Sequence, residues 1–163
     1  MAYPTYERLK YLLSYDELTG VFRWNSTAYK KVRGKVAGTE HQKGYRKVFV
    51  DGCRCYSHRL AWFYVYGVIP IGEVDHIDGD PSNNRISNLR DVTKSVNMQN
   101  RKTAKRTSKC GYLGVSWSKR NKKWIAQIAL DGKKTRIGGY DTAIEAYDAY
   151  LARKREIHEG CTI

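Results

Sequence analysis

Asp75 and His76 stand side by side in this sequence, followed after eleven intervening residues by Asn88 and after eight more by Asn97. An imidazole with a pKa near about 6.5 can take a proton from water at neutral pH. A carboxylate and an amide oxygen suit a hard divalent cation. Phosphodiester hydrolysis needs these two parts: a base for the attacking water, and positive charge for the phosphate and the leaving oxygen. The donor set is sparse, with Asp75 and Asn97 as metal ligands and His76 as base. It leaves most positions around Mg²⁺ or Mn²⁺ to water and phosphate oxygens, which is how magnesium usually sits. Asp78 and Asp80 read as turn residues of an Asp-Gly-Asp stretch, since a further carboxylate beside the phosphate would repel it.

The elements that must hold these residues can be read from the flanking pattern. Val74 to Asp80 alternates apolar and acidic residues like a short strand and runs into the turn-rich stretch Pro81 to Arg85; Ile86 to Leu89 follows, then a helix from about Thr93. Upstream, His58 to Tyr66 is apolar enough for a buried helix, stopped by Gly67 and Pro70. Tyr45 to Val50 and Cys53 to Ser57 form a hairpin through Asp51-Gly52. Val21 to Trp24 is a strand, Tyr6 to Leu13 a short amphipathic helix, and Tyr29 to Gly44 a basic loop.

Beyond the helix, Arg101 to Lys109 is basic and has no large apolar residue to bury, which marks a linker. A second unit begins at Gly111. Leu113 to Trp117, Trp124 to Leu130 and Thr135 to Ile137 are strand candidates, with Asp131-Gly132 as a hairpin turn. Thr142 to Ile157 opens with a Thr-x-x-Glu capping box and sets Ile144, Tyr147 and Leu151 on one helical face. The expected fold is α+β: residues 1–100 as a catalytic unit with a β-rich N-terminal extension, 101–110 as linker, and 111–160 as a three-stranded antiparallel sheet with one packed helix.

The ordered text Val74-Asp75-His76-Ile77-Asp78-Gly79, Asn83-Asn84, Ser87-Asn88-Leu89 and Val92-Thr93 with Asn97 resembles the HNH endonucleases, above all the phage and intron-borne members with a ββα-metal core. The preceding His58-Arg59-Leu60-Ala61 adds to the likeness. The resemblance implies His76 as general base, Asp75 and Asn97 as metal ligands, and Asn88 as the residue that ties the motif loop together. It also implies a 5′ phosphate and a 3′ hydroxyl as products. Many family members have a final histidine where this chain has Asn97, and the cysteine knuckles of the zinc-ribbon members are missing. His58 and Arg59 could reach a phosphate or could equally pack and cap their helix.

Residues 111–160 resemble the plant APETALA/ethylene-response-factor DNA-binding domain, through Gly111 to Val115, Trp124 to Ile128, Ile137 to Tyr140, and the pattern of Thr142 to Tyr150. Such a domain lays its sheet in the major groove with the helix behind. By position, the resemblance implies DNA contacts from Ser116, Trp117, Ser118, Arg120, Lys122, Lys134 and Arg136, with Trp124 in the core.

Charge fits a polyanionic partner. The chain carries a formal +14, and its centre, residues 58–100, is nearly balanced between two basic flanks. Double-stranded DNA is the expected partner, with monomer and dimer both open. Cys53, Cys55, Cys110 and Cys161 lack zinc spacing, so reduced thiols and no zinc are expected. No apolar run reaches the roughly 18 residues of a membrane span, and Met1 to Leu12 does not read as a signal peptide; the expected location is the cytoplasm of a bacterial or phage-infected cell. The rival reading is a non-catalytic DNA-binding protein with a decayed HNH unit. An RNA ligand is disfavoured because the second unit lacks an aromatic base-stacking motif.

Overall fold

A computed structural model describes residues 3–104, 108 and 110–163, so part of the expected linker, residues 105–107 and 109, lies outside the described residues. The chain divides into two compact units, Met1–Thr93 and Lys94–Ile163. Helices and strands are mixed throughout, in an α+β arrangement of small antiparallel sheets. No helix among the described residues is long and apolar enough to cross a membrane.

In the first unit, α1 (Tyr6–Leu12) starts at Thr5, whose hydroxyl accepts the Arg8 N–H at 3.3 Å, and buries Leu9 and Leu12. Leu13, expected as the last helical residue, instead opens β1 (Leu13–Asp16), which pairs with β2 (Val21–Trp24). The reason is the pairing itself: Leu13 is fully buried opposite Trp24, and tertiary pairing overrides local pattern. Next come β3 (Thr39–Glu40), β4 (Arg46–Val50) and β5 (Cys53–Tyr56) in one sheet. β3 falls inside the stretch expected as loop, being only two residues long and formed by its pairing to β4. Asp51 and Gly52, at φ of 45° and 82°, close the β4–β5 hairpin as expected for an Asp-Gly turn.

α2 (Ser57–Tyr66) follows at once and ends at Gly67 in the left-handed conformation. It buries Leu60, Ala61 and Phe63. β6 (Glu73–His76) and β7 (Leu89–Val92) form an antiparallel pair, with Asp75 opposite Arg90 and His76 opposite Leu89. Leu9, Leu12, Leu13, Phe22, Val48, Val50, Leu60, Val74 and Leu89 belong to one buried cluster, so both β6 and β7 are anchored in the core that α1 and α2 build.

The second unit begins with α3 (Lys94–Gln99), then β8 (Val115–Ser118), β9 (Lys123–Leu130) and β10 (Lys133–Tyr140) with β9 central, and α4 (Ala143–Ile157). Thr142 caps α4 through the expected box: its hydroxyl accepts the Glu145 N–H at 3.2 Å and the Glu145 carboxylate accepts the Thr142 N–H at 3.3 Å. The buried face of α4 differs from the expected one. Ala146, Tyr150 and Lys154 are buried at four-residue intervals, Tyr147 and Leu151 flank them, and Ile144 is 60% exposed. The small Ala146 lets the helix approach Val115, Ala126 and Ile128 of the sheet, and the first-turn Ile144 points away. All four cysteines are free thiols.

Candidate active site

His76 ends β6 beside Asp75, and both are buried. The His76 Nε2 lies 3.2 Å from Oδ1 of Asn84, a buried residue of the turn after β6. Asn84 is itself fixed. Its amide Nδ2 donates to the Ser82 carbonyl at 3.1 Å, and its own carbonyl accepts the Tyr15 hydroxyl at 2.6 Å. The β1–β2 turn packs against the same peptide: a Cβ on Gly20, which has φ of 73°, would lie 2.4 Å from the Asn84 carbonyl carbon. Only glycine satisfies both the backbone angle and that approach. Arg85 donates from Nε to the Leu18 carbonyl at 2.6 Å and completes the brace.

Asn88 organises the loop between β6 and β7. Its Oδ1 accepts the Asp78 N–H at 3.0 Å, and its Nδ2 donates to the Asp78 carboxylate at 3.0 Å and to the Asn83 carbonyl at 2.8 Å. Asp78 also accepts from Asn83 Nδ2 at 2.6 Å and from the Asp80 N–H at 2.8 Å. Burial works against the Asp78 carboxylate, yet these hydrogen bonds hold its pKa below the ordinary value. Asp78 and Asp80, whose carboxylate caps Ser82, thus serve the turn.

Asp75 carries an ion pair. Arg90, its cross-strand partner, donates to the same Asp75 oxygen from Nε at 2.9 Å and from Nη2 at 2.8 Å. The guanidinium fixes the carboxylate's orientation, and a cation binding there shares the carboxylate with it. Among the described residues no cluster of three or more His, Cys, Asp or Glu side chains could hold a metal. The donor chemistry on offer is a single buried carboxylate with imidazole beside it. That fits a hard, largely hydrated cation that needs few protein ligands.

Burial pushes His76 below the ordinary imidazole pKa, opposed by the Asn84 hydrogen bond and by Asp78, Asp75 and Asp80. His58, in the first turn of α2, meets His76 edge-on with ring centroids 5.0 Å apart. It is buried, its Nδ1 has no hydrogen-bond partner among the described residues, and burial followed by the neighbouring His76 pushes its pKa down to about 3. His58 is therefore a neutral ring packed within the site, stacked on Tyr56 at 5.4 Å and near Tyr45 at 5.5 Å. Arg59 points elsewhere. It donates to the Tyr3 hydroxyl at 2.8 Å and to the carbonyls of Gly72 and Pro70 at 3.0 Å each. The possible phosphate contact from Arg59 gives way to a structural one, because all three of its guanidinium nitrogens are engaged by the protein.

Asn97 lies on α3, in the second unit. In that unit's sheet, Ser116 faces Ile125, Ser118 faces Lys123, Lys134 faces Ala129 and Arg136 faces Gln127, all on the side away from the buried Ala126 and Ile128. Gly139 leaves room for Arg136 on this open face, since a Cβ there would lie 2.9 Å from the guanidinium. Arg120 and Lys122 lie in the exposed turn between β8 and β9. Trp117 departs from the expected set: it pairs with Trp124, 5.2 Å ring to ring, on the side of Val115 and Ala126. Period-two alternation turns it to the helix side, although at the sheet margin it stays 48% exposed.

Asn84 and Arg90 are the site residues that the motif alone did not single out. Asn84 reads as ordinary turn chemistry in sequence, and Arg90 acquires meaning only once the β6–β7 register puts it opposite Asp75.

The geometry defines a His-Asp site on a strand pair whose loop is knotted by an asparagine, and residues 55–99 match the HNH endonuclease family. The chain is 34% identical over 118 residues to Protein 3.8 of Escherichia phage T7, covering 72% of this chain and 93% of that protein. It belongs to the same family as Protein 3.8 and carries an HNH endonuclease domain. No solved structure matches it.

Proposed function

We propose that this protein is a metal-dependent endonuclease of double-stranded DNA, of the free-standing phage or homing type, acting in the cytoplasm of the host cell. The observation that carries the reading is the pairing of His76 with Asn84 beside Asp75. The Asn84 oxygen can only accept, so it holds the hydrogen on His76 Nε2 and leaves the ring's lone pair on Nδ1. That nitrogen takes the proton from the attacking water.

Asp75, fixed by Arg90, holds the divalent cation, Mg²⁺ or Mn²⁺, and Asn97 is the second oxygen ligand that the family resemblance supplies. When bound, the cation contributes positive charge to the phosphate and the leaving oxygen. Asn88 acts through the loop: it keeps Asp78, Asn83 and the chain after His76 in one arrangement. On the second unit, the open sheet face with Ser116, Ser118, Lys134 and Arg136, together with Arg120 and Lys122 in the adjoining turn, contacts DNA. The net charge of +14 supports that partner.

The test is cleavage of plasmid DNA across a Mg²⁺ titration by wild type, Asp75→Asn and Asn97→Ala. Cleavage that needs the metal and a raised Mg²⁺ requirement in both variants support the ligand assignment. Cleavage in EDTA, or an unchanged requirement, refutes it.

A further inference from the structure

The β3–β4–β5 sheet has one face in the core and one in solvent. Val48, Val50 and Cys55 point inward and are buried. Lys47 and Phe49 occupy the alternate positions of β4, opposite Tyr56 and Arg54 of β5, and Thr39 of β3 lies opposite Lys47. These five residues share the outward face and none is acidic. Phe49 is 60% exposed, with Arg54 exposed beside it. Strand propensity accepts a phenyl ring here as readily as a β-branched residue, so what marks the face is the ring together with the two cations beside it, Lys47 and Arg54. The Lys47 ammonium stands 4.4 Å from the centre of the Tyr56 ring.

This face runs without a break into the candidate site. Tyr56 stacks on His58, with centroids 5.4 Å apart and planes at 24°, and His58 meets His76. Tyr45, just before β4, lies 5.6 Å from Tyr56 and 6.0 Å from His76. A path of rings and cations thus leads from Phe49 and Arg54, through Lys47 and Tyr56, to the imidazole of His76.

We propose that the outward face of β4 and β5 is the track for the DNA strand adjoining the bond presented to His76. Lys47 and Arg54 neutralise backbone phosphates, and the Phe49 ring lies against a sugar and base between them. Side chains on one strand face recur about every 7 Å, so cation and ring alternate along the sheet as phosphate and base do along a nucleic acid strand. Stacking on an aromatic group beside cations is a sequence-tolerant way to hold such a strand. A protein partner fits less well, because one phenyl ring beside a lysine lacks the lysine-poor apolar centre of a protein interface. The link to cleavage rests on the nuclease reading; the binding surface itself does not.

Full-length Phe49→Ala, Arg54→Ala and Lys47→Ala are made both in active protein and in a His76→Ala background. In the inactive background, binding of labelled DNA, both as a duplex and as a duplex with a single-stranded overhang that leaves bases free to stack, is followed across salt concentrations. Phe49→Ala is expected to weaken binding about tenfold with little change in salt dependence. Arg54→Ala and Lys47→Ala are each expected to lower the salt slope by about one. In active protein the loss falls on KM while kcat is kept, and melting temperatures change little, most in Lys47→Ala, which also loses its contact with the Tyr56 ring. Unchanged DNA binding in all three variants overturns the proposal. So does a wild-type dimer that Phe49→Ala dissociates, which makes the face a protein interface. If wild type does not cleave but Phe49→Ala still weakens DNA binding, the track stands and the nuclease reading falls.

Discussion

Asn84 presents its side-chain oxygen to Nε2 of His76 at 3.2 Å, from a turn whose backbone is held by Tyr15 and shaped around Gly20. Two strands remote in sequence thus set the orientation of one imidazole. Outer partners of this kind typically change activity by about 10–100-fold when removed.

Asn84→Leu is expected to slow cleavage by roughly that 10–100-fold while DNA binding is retained. Asn84→Asp keeps an acceptor but adds a negative charge that favours the imidazolium. Its acid limb in the pH–rate profile should move to higher pH than that of wild type, where burial holds the His76 pKa below the ordinary value. An acid limb that does not move in Asn84→Asp would show that Asn84 does not act through His76.

His58 and His76 are both kept neutral by burial, so their folded pKa values lie below those of the unfolded chain. As pH falls, the unfolded chain takes up protons first. The contribution to stability is fully present above about pH 6.5, and it is lost progressively as the pH falls toward the folded value, about 3 for His58. Each histidine removes at most about 1.4 kcal/mol per pH unit in that window. Urea unfolding of His58→Phe is expected to show a shallower acid decline than wild type by about one proton.

Arg90→Met removes the ion-pair partner that a buried carboxylate has across the β6–β7 pair. The pair is asymmetric in exposure, with the Asp75 side chain at 8% and Arg90 at 25%. The expected loss is about 2 kcal/mol, short of the 3–5 kcal/mol of a fully buried pair. Because a cation bound at Asp75 would share that carboxylate with the guanidinium, Mg²⁺ should raise the melting temperature of Arg90→Met more than that of wild type. A smaller Mg²⁺ effect in the variant would place the cation away from Asp75.

Lys134 and Arg136 lie on one open sheet face with no carboxylate opposite them on β9. The double variant Lys134→Ala with Arg136→Ala is expected to reduce the slope of log K against log salt for DNA binding by about two. An unchanged slope would take this face out of the DNA contact.

Much of this molecule is legible in its sequence because short-range rules decide it. The Asp-Gly turn closing β4 and β5, the Gly67 stop of α2 and the Thr142 capping box all follow from local backbone chemistry. The Asn88 knot is legible from its place in an ordered motif. What escapes depends on register and tertiary approach. β3 exists through its pairing with β4, Trp117 is turned by alternation toward the helix side, and Arg59 finds carbonyls at Pro70 and Gly72 that no spacing rule reveals. Asn84 is of the same kind, since a turn asparagine becomes a histidine partner only when the loop folds back on β6.

The most direct measurement is relaxation of supercoiled plasmid by wild type and His76→Ala, each in Mg²⁺ and in EDTA, with DNA binding measured alongside. Wild type is expected to nick or linearise the plasmid only with the metal, and His76→Ala to be slower by about 10²-fold or more at equal DNA binding. Equal cleavage by His76→Ala would contradict the assignment of the base, and tight binding by wild type with no cleavage in Mg²⁺ or Mn²⁺ would contradict the nuclease itself.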